Sequence, residues 1–150
     1  MINWKIKPFK ELTTDEFHDI LALRIKVFVV EQNCPYQELD GKDKKGVHIF
    51  GIDKNKEVVA TARILPKNIS YSELSIGRVV TDVSVRQKKV GIELMENCMT
   101  YIKNKFPNEA VRISAQTHLD KFYQKFGFVS TGKKYLEDNI PHTEMLYQPI

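Results

Sequence analysis

The sequence predicts an α/β fold with a mixed central β-sheet, and three stretches predict it. Residues 75–94, SIGRVVTDVSVRQKKVGIEL, run as an apolar strand through Ile76, Val79 and Val80 and alternate through Val83 and Val85. They break at a basic turn and take a helical period from Ile92. Residues 47–52 and 57–65 read as two strands of a hairpin, with Asp53-Lys54-Asn55-Lys56 as the turn. Thr13-x-x-Glu16 resembles a capping box opening a helix between the first strand and that hairpin.

The remaining elements follow in order. Trp4, Ile6 and Pro8 mark a short first strand, with the proline at its end or on an edge. In the first helix Phe17, Leu21, Ile25 and Phe28 form the expected buried stripe, and His18, Asp19 and Lys26 lie off it. The helix fades near Glu31, ahead of Pro35. His48 alternates with apolar neighbours and reads as a sheet-face histidine. Residues 66–72 connect to the central strand, and Ile92, Met95, Met99 and Ile102 share one face of the second helix. Pro107-Asn108 breaks the chain before a strand over 111–116. Leu119, Phe122, Tyr123 and Phe126 fit one face of a short helix closed by Gly127. A strand begins at Phe128, residues 137–141 form a loop, and residues 143–147 make the last strand.

Composition narrows the function. The chain has 150 residues, 28% of them charged and 42% hydrophobic, as expected of one soluble domain with a proper core. No apolar run reaches the ~20 residues that span a bilayer, and the first residues lack a secretory signal, so a cytoplasmic protein is expected. The net charge of +4 is scattered over local groups, which suits a polyanionic small molecule better than a nucleic acid. Cys98 reads as a small core residue, whereas Cys34, in a loop before Pro35, has more room to react. No cysteine or histidine cluster suggests a metal.

Two segments carry candidate chemistry. A strand, a short basic turn with Gly91 and a helix aim unpartnered backbone N–H groups at an anion, usually a phosphate. Arg86, Lys88 and Lys89 add charge; an ordinary connection with a solvated basic face fits the same pattern. The loop over 32–46 holds Glu38, Asp40 and Asp43 near Tyr36 and Phe28. It reads either as solvated and acidic or as carboxylates lining a site for an amine.

Arg86-Gln87-Lys88-Lys89-Val90-Gly91 resembles the Arg/Gln-x-x-Gly-x-Gly/Ala loop of the GNAT acyltransferases, with Lys89 in the first glycine position. Further segments resemble the ElaA-like N-acetyltransferases of that superfamily, in family order. They include Val27-Phe28-Val29-Val30-Glu31-Gln32, Cys34-Pro35-Tyr36, Asp40-Gly41-Lys42-Asp43, Ile76-Gly77-Arg78-Val79-Val80 and Ala115-Gln116 with His118-Leu119. Phe122-Tyr123 with Phe126-Gly127-Phe128, and Tyr135-Leu136-Glu137-Asp138 with Ile140-Pro141-His142, complete the set.

The resemblance implies a GNAT fold across the whole chain as one domain, its central strands splayed to admit a pantetheine arm. It implies acetyl-coenzyme A as acyl donor, an amine of a small molecule or peptide as acceptor, direct attack, and no metal. Arg86, Gln87, Lys88, Lys89, Val90, Gly91 and Ile92 would hold the pyrophosphate. Val83, Ser84 and Val85 would pair with pantetheine, and Gln116 would also face the coenzyme. Tyr123 matches the family tyrosine that protonates the leaving thiolate, whereas on the residues alone it reads first as an aromatic of a buried stripe. The base stays open among Glu31, Glu38, Glu73, Glu137, His142 and a water chain. A non-catalytic acyl-coenzyme A-binding module remains an alternative. Neither nucleic acid nor membrane is an expected partner, and the chain would act as a monomer or homodimer.

Overall fold

The computed structural model describes residues 1–150. A seven-stranded sheet of order β1-β2-β3-β4-β5-β7-β6 carries helices on both faces. Its strands are β1 (Asn3–Pro8), β2 (Val47–Ile52), β3 (Val58–Leu65), β4 (Leu74–Thr81), β5 (Val111–Gln116), β6 (Val129–Glu137) and β7 (Ile140–Tyr147). The helices are α1 (Thr14–Ile25), α2 (Val90–Lys105) and α3 (Asp120–Gln124). Adjacent strands are antiparallel except β4 and β5.

That parallel pair is joined only at Leu74–Val111 and Ser75–Arg112, and the two strands then diverge. The cause lies within β4. Opposite Thr61 and Arg63 of β3 the register slips by one residue, and Arg78 takes a left-handed φ of 53°. An extra residue in one strand bends it and increases its twist, which carries the end of β4 away from β5. The expected splay of the central strands is present.

The two faces of the sheet differ. Under α2 lies the apolar core, where Leu94, Met95, Cys98, Met99 and Ile102 pack on Ile49, Ala60, Ala62 and Ile76. Cys98 is fully buried there, and burial pushes its thiol up to about 12, as expected of a core cysteine. The face under α1 is largely polar, with a small apolar cluster of Leu23, Val27 and Val80.

The expected stripe on α1 needs correction. The buried residues are Ile20, Leu23 and Arg24, continued by Val27, while Ile25 is 37% exposed. These recur at i, i+3, i+4 and i+7, as a helix face should. An arginine on the inner face hid that period, because a pattern of apolar letters passes over it. The capping box is present: Glu16 N–H donates to the Thr13 hydroxyl and Thr13 N–H to the Glu16 carboxylate, each at 3.0 Å. The helix then widens to a π-helical turn over Lys26–Glu31, so it ends where Pro35 predicts.

Three boundaries also move. The central strand stops at Thr81, and Val83–Val85 form a single tight turn capped by Asp82. Helix α2 starts at Val90, with Ile92 only half-buried and Leu94 and Cys98 on the inner face. The loop expected over 137–141 is a tight turn at Asp138 and Asn139, whose φ angles of 50° and 65° match the twist of a hairpin.

Candidate active site

The divergence of β4 and β5 opens a cleft of about 990 Å³. Its walls are the free edge of β4, the turn leading into α2, the aromatic side of α3, the π-helical turn and the β6–β7 hairpin. This is within the usual range for a ligand site.

The turn into α2 has the open amides that the local reading of an anion site requires. The first helical bond runs from Glu93 N–H to the Lys89 carbonyl at 3.1 Å, leaving the N–H groups of Lys89, Val90, Gly91 and Ile92 without main-chain acceptors. Gln87, Lys89, Val90, Gly91 and Ile92 line the cleft; Lys88 does not. Arg86 also lines the cleft, but its guanidinium is held by other protein groups. Its guanidinium bonds the Glu31 carboxylate at 2.6 and 3.1 Å and the Thr81 carbonyl at 3.1 and 3.3 Å, tying the π-helical turn to the end of β4. Glu31 is thereby paired as well.

Val83, Ser84 and Val85 do not form the expected pairing edge. Ser84 N–H donates to the Asp82 carboxylate at 3.0 Å and Val85 N–H to the Asp82 carbonyl at 3.1 Å, so these donors are spent within the turn. Lys26, bonded at 2.6 Å, and Ser84 hold the Asp82 carboxyl at about 2. The edge facing β5 without a partner is the part of β4 beyond Ser75.

Lys89 adopts φ 63°, a left-handed conformation that favours the glycine it replaces. The conformation costs a non-glycine residue ~1–2 kcal/mol, whereas glycine adds ~0.5–1 kcal/mol of unfolded-state entropy. Lys89→Gly is therefore expected to leave stability level or raise it by ~0.5 kcal/mol in a urea titration. Coenzyme A affinity should stay within about twofold, since the backbone amide is unchanged.

Tyr123 is 7% exposed and reaches the cleft from α3. Its ring lies edge-on to Phe122 at 5.2 Å and to Phe128 at 6.2 Å. It packs in the aromatic stripe and also lines the cleft. Burial pushes its phenol well up, helped by the Cys98 thiol, so the group is protonated at neutral pH. Gln116, on the opposite wall, donates to Gln32 at 3.4 Å.

The loop over 32–46 is neither of the forms expected. Glu38 and Asp43 are 4% and 3% exposed and face arginines that no sequence pattern groups. Arg24 bonds Glu38 through Nε and Asp43 through Nη1 at 2.7 Å. Arg63 bonds Asp40 at 2.9 and 3.0 Å and Asp43 at 3.1 Å. Arg78 bonds Glu38 at 3.1 Å and lies over the Tyr36 ring, whose hydroxyl donates to Glu38. The acidic and basic charges balance: Glu38 and Asp43 lie behind the cleft wall, Asp40 lines it with Arg63 and Arg78, and all three carboxylates are bound to arginines. Burial lifts the Tyr36 phenol, and Glu38 adds to the rise. His48 is fully buried beneath the network, its Nε2 3.0 Å from the Asp43 carbonyl, and burial lowers its pKa.

Of the remaining expected bases, Glu73 lies off the cleft. It is paired with Arg112 at 2.8 and 2.9 Å, which holds its carboxyl at about 2. Glu137 and His142 both line the cleft. Cys34 is buried, contrary to the room expected for it, with its sulfur 3.8 Å from the Asp138 carbonyl. No group of three or more His, Cys, Asp or Glu side chains is placed to hold a metal, and no helix is long and apolar enough to cross a membrane.

Residues 13–148 match the family model of the Acetyltransferase (GNAT) domain. The protein ElaA of Escherichia coli is 43% identical over 152 residues, covering 100% of this chain and 99% of its own. Its crystal structure superposes with a TM-score of 0.92 at 41% identity, covering 99% of this chain and 100% of that one. An acyl-CoA N-acyltransferase from Pseudomonas aeruginosa superposes at 0.89 with 37% identity, covering 97% and 99%. An aminoglycoside 6'-N-acetyltransferase solved with coenzyme A shares the fold alone, with a TM-score of 0.71 at 14% identity and 97% of each chain covered.

Proposed function

Since the chain belongs to the GNAT acetyltransferase family, we propose that it moves an acetyl group from acetyl-coenzyme A to a primary amine of a small molecule or peptide. The observation that carries this reading is a single cleft lined by three parts. They are unpartnered amides at the start of α2, a free strand edge on β4, and the Tyr123 phenol.

Each part meets one need of the reaction. The amides of Lys89, Val90, Gly91 and Ile92 hold the pyrophosphate, with the positive end of the α2 dipole behind them. The free edge of β4 accepts the pantetheine amides as a further strand would. Once bound, acetyl-coenzyme A supplies a thioester whose carbonyl carbon an amine can attack. Tyr123 gives its proton to the departing thiolate, and the cleft's main contribution is to hold the two reactants in attack geometry. Arg86 keeps the β4 edge in place through Thr81 and Glu31.

Purified protein incubated with acetyl-coenzyme A and a panel of alkylamines, amino acids and peptides should release free thiol in an amine-dependent way. Tight coenzyme binding with no amine-dependent thiol release would instead mark a binding module without turnover.

Gly91 tests the anion loop separately. A Cβ here meets only ordinary contacts, with Phe122 at 3.8 and 3.9 Å and Thr81 at 3.9 Å, so Gly91→Ala is tolerated. Gly91→Asp adds a negative charge where the pyrophosphate is held, and calorimetry should show ~10-fold or weaker coenzyme A binding, about 1.4 kcal/mol. Thermal stability should hold or rise, because an acidic side chain in a first helical turn complements the dipole. Unchanged affinity would place the pyrophosphate elsewhere.

A further inference from the structure

The β6–β7 hairpin brings two of the sequence's candidate bases to one wall of the cleft. His142 pairs with Gln116 on β5 and with Tyr135 on β6. Its ring stacks on Tyr135, with centroids 6.1 Å apart and planes 14° apart. Tyr135 is itself anchored, its hydroxyl donating to Ser114 of β5. The ring is therefore held on β6, by a tyrosine that β5 in turn anchors.

Its protonation follows from its partners. Nδ1 lies 2.7 Å from the Ile140 carbonyl, which can only accept, so Nδ1 carries the proton. In the neutral ring Nε2 then presents a lone pair, and it faces Glu137 Oε2 at 3.4 Å. Two acceptors turned toward each other are satisfied by a proton-bearing cation. His142 is 7% exposed and the Glu137 side chain 53%, so the pair joins the cleft wall to solvent. Around them stand Tyr135 from β6, the neutral Gln116 from β5 and Asp138 in the turn. The other expected bases are occupied: Glu38, Glu73 and Glu31 are each bound to an arginine.

We propose that His142 is the general base and that the Glu137–His142 pair receives the acceptor as a protonated primary amine. This rests on the acetyltransfer reading above. Nε2 takes one proton from the ammonium, and Glu137 pairs first with the ammonium and then with the imidazolium. The free amine attacks the thioester carbonyl carbon, a C–N bond forms and the C–S bond breaks. The sulfur takes the Tyr123 proton. The second proton lost by nitrogen restores the phenol, and the first leaves His142 past Glu137 to water. The products are one amide, one thiol and one released proton.

The experiment uses the full chain, acetyl-coenzyme A and the alkylamine of the panel with the highest kcat/KM. His142→Gln and His142→Ala are expected to lower kcat by ~10²–10⁴, the usual share of a positioned base, with coenzyme A affinity unchanged. Added imidazole should restore part of the loss in the alanine variant, which a merely structural histidine would not allow. Glu137→Gln, which keeps the base, should act mainly on KM for the alkylamine, by ~10-fold. Turnover within threefold of the parent in the histidine variants, or a loss that imidazole leaves untouched, overturns the role. Absence of amine-dependent turnover in the unmodified chain overturns the acetyltransfer reading itself, and this role with it.

Discussion

Tyr123→Phe is expected to lower kcat by ~10²–10⁴, the share of a positioned general acid, while leaving the fold and coenzyme A affinity in place. The ring stays packed between Phe122 and Phe128, so only the hydroxyl is lost. Burial already keeps the phenol protonated, so in the proposed role it offers a proton across the neutral range. The variant must release the thiolate without a proton donor at that position. Because the interaction belongs to the transition state, kcat and kcat/KM should fall together. Steady-state kinetics on an acceptor for which chemistry limits the rate makes the measurement, beside a thermal melt and a coenzyme titration. A phenylalanine variant with parental kcat would return Tyr123 to the aromatic stripe, with no part in the chemistry.

Arg24→Met should cost about 3–5 kcal/mol of stability, the range for breaking a buried ion pair from one side. Arg24 is 1% exposed and reaches two carboxylates at once, Glu38 and Asp43. Its removal leaves buried negative charge that Arg63 and Arg78 only partly offset. Against the ~5–15 kcal/mol of a typical domain, that is a large fraction. Arg24→Lys should recover little, because one ammonium cannot replace a fork that donates to both partners.

The same network gives the stability a pH dependence of known sign. Burial raises the Asp43 carboxyl, but the hydrogen bond and charge of Arg24, with those of Arg63, lower it further. Asp40 is held at about 2 against an ordinary 3.8 by Arg63 and the Lys42 amide, again against the effect of burial. A carboxyl depressed in the folded state stabilises above its unfolded pKa, and that stabilisation is lost as pH falls through the folded value. Urea unfolding should therefore show the parent losing stability from about pH 4 toward pH 2. Arg24→Met should show a shallower dependence, because the depression of Asp43 depends first on Arg24. Parallel curves would assign the acid sensitivity to other carboxyls, such as Glu73 and Asp82.

What the sequence determined by itself was whatever local pattern encodes. A capping box, a helical period after Gly91, strand runs over 47–52 and 57–65 with a turn between them, and a glycine closing the α3 segment each depend on neighbours within a few residues. All four appear in the structure. The ordered motifs named the family for the same reason, since they are strings along the chain. Tertiary structure decided which charges are free. Arg24, Arg63 and Arg78 stand on three different elements and meet Glu38, Asp40 and Asp43 only when the sheet and α1 close over them. An acidic loop that could have held an amine became a buried brace. Arg86, expected on a phosphate, is held by Glu31 across 55 residues of chain. The end of the central strand at Thr81 was hidden as well, because Val83 and Val85 keep the letters of a strand. The Asp82 cap satisfies their turn with side-chain and backbone bonds that no alternation pattern registers. Periodicity reports burial, and pairing between distant charges leaves no period to read.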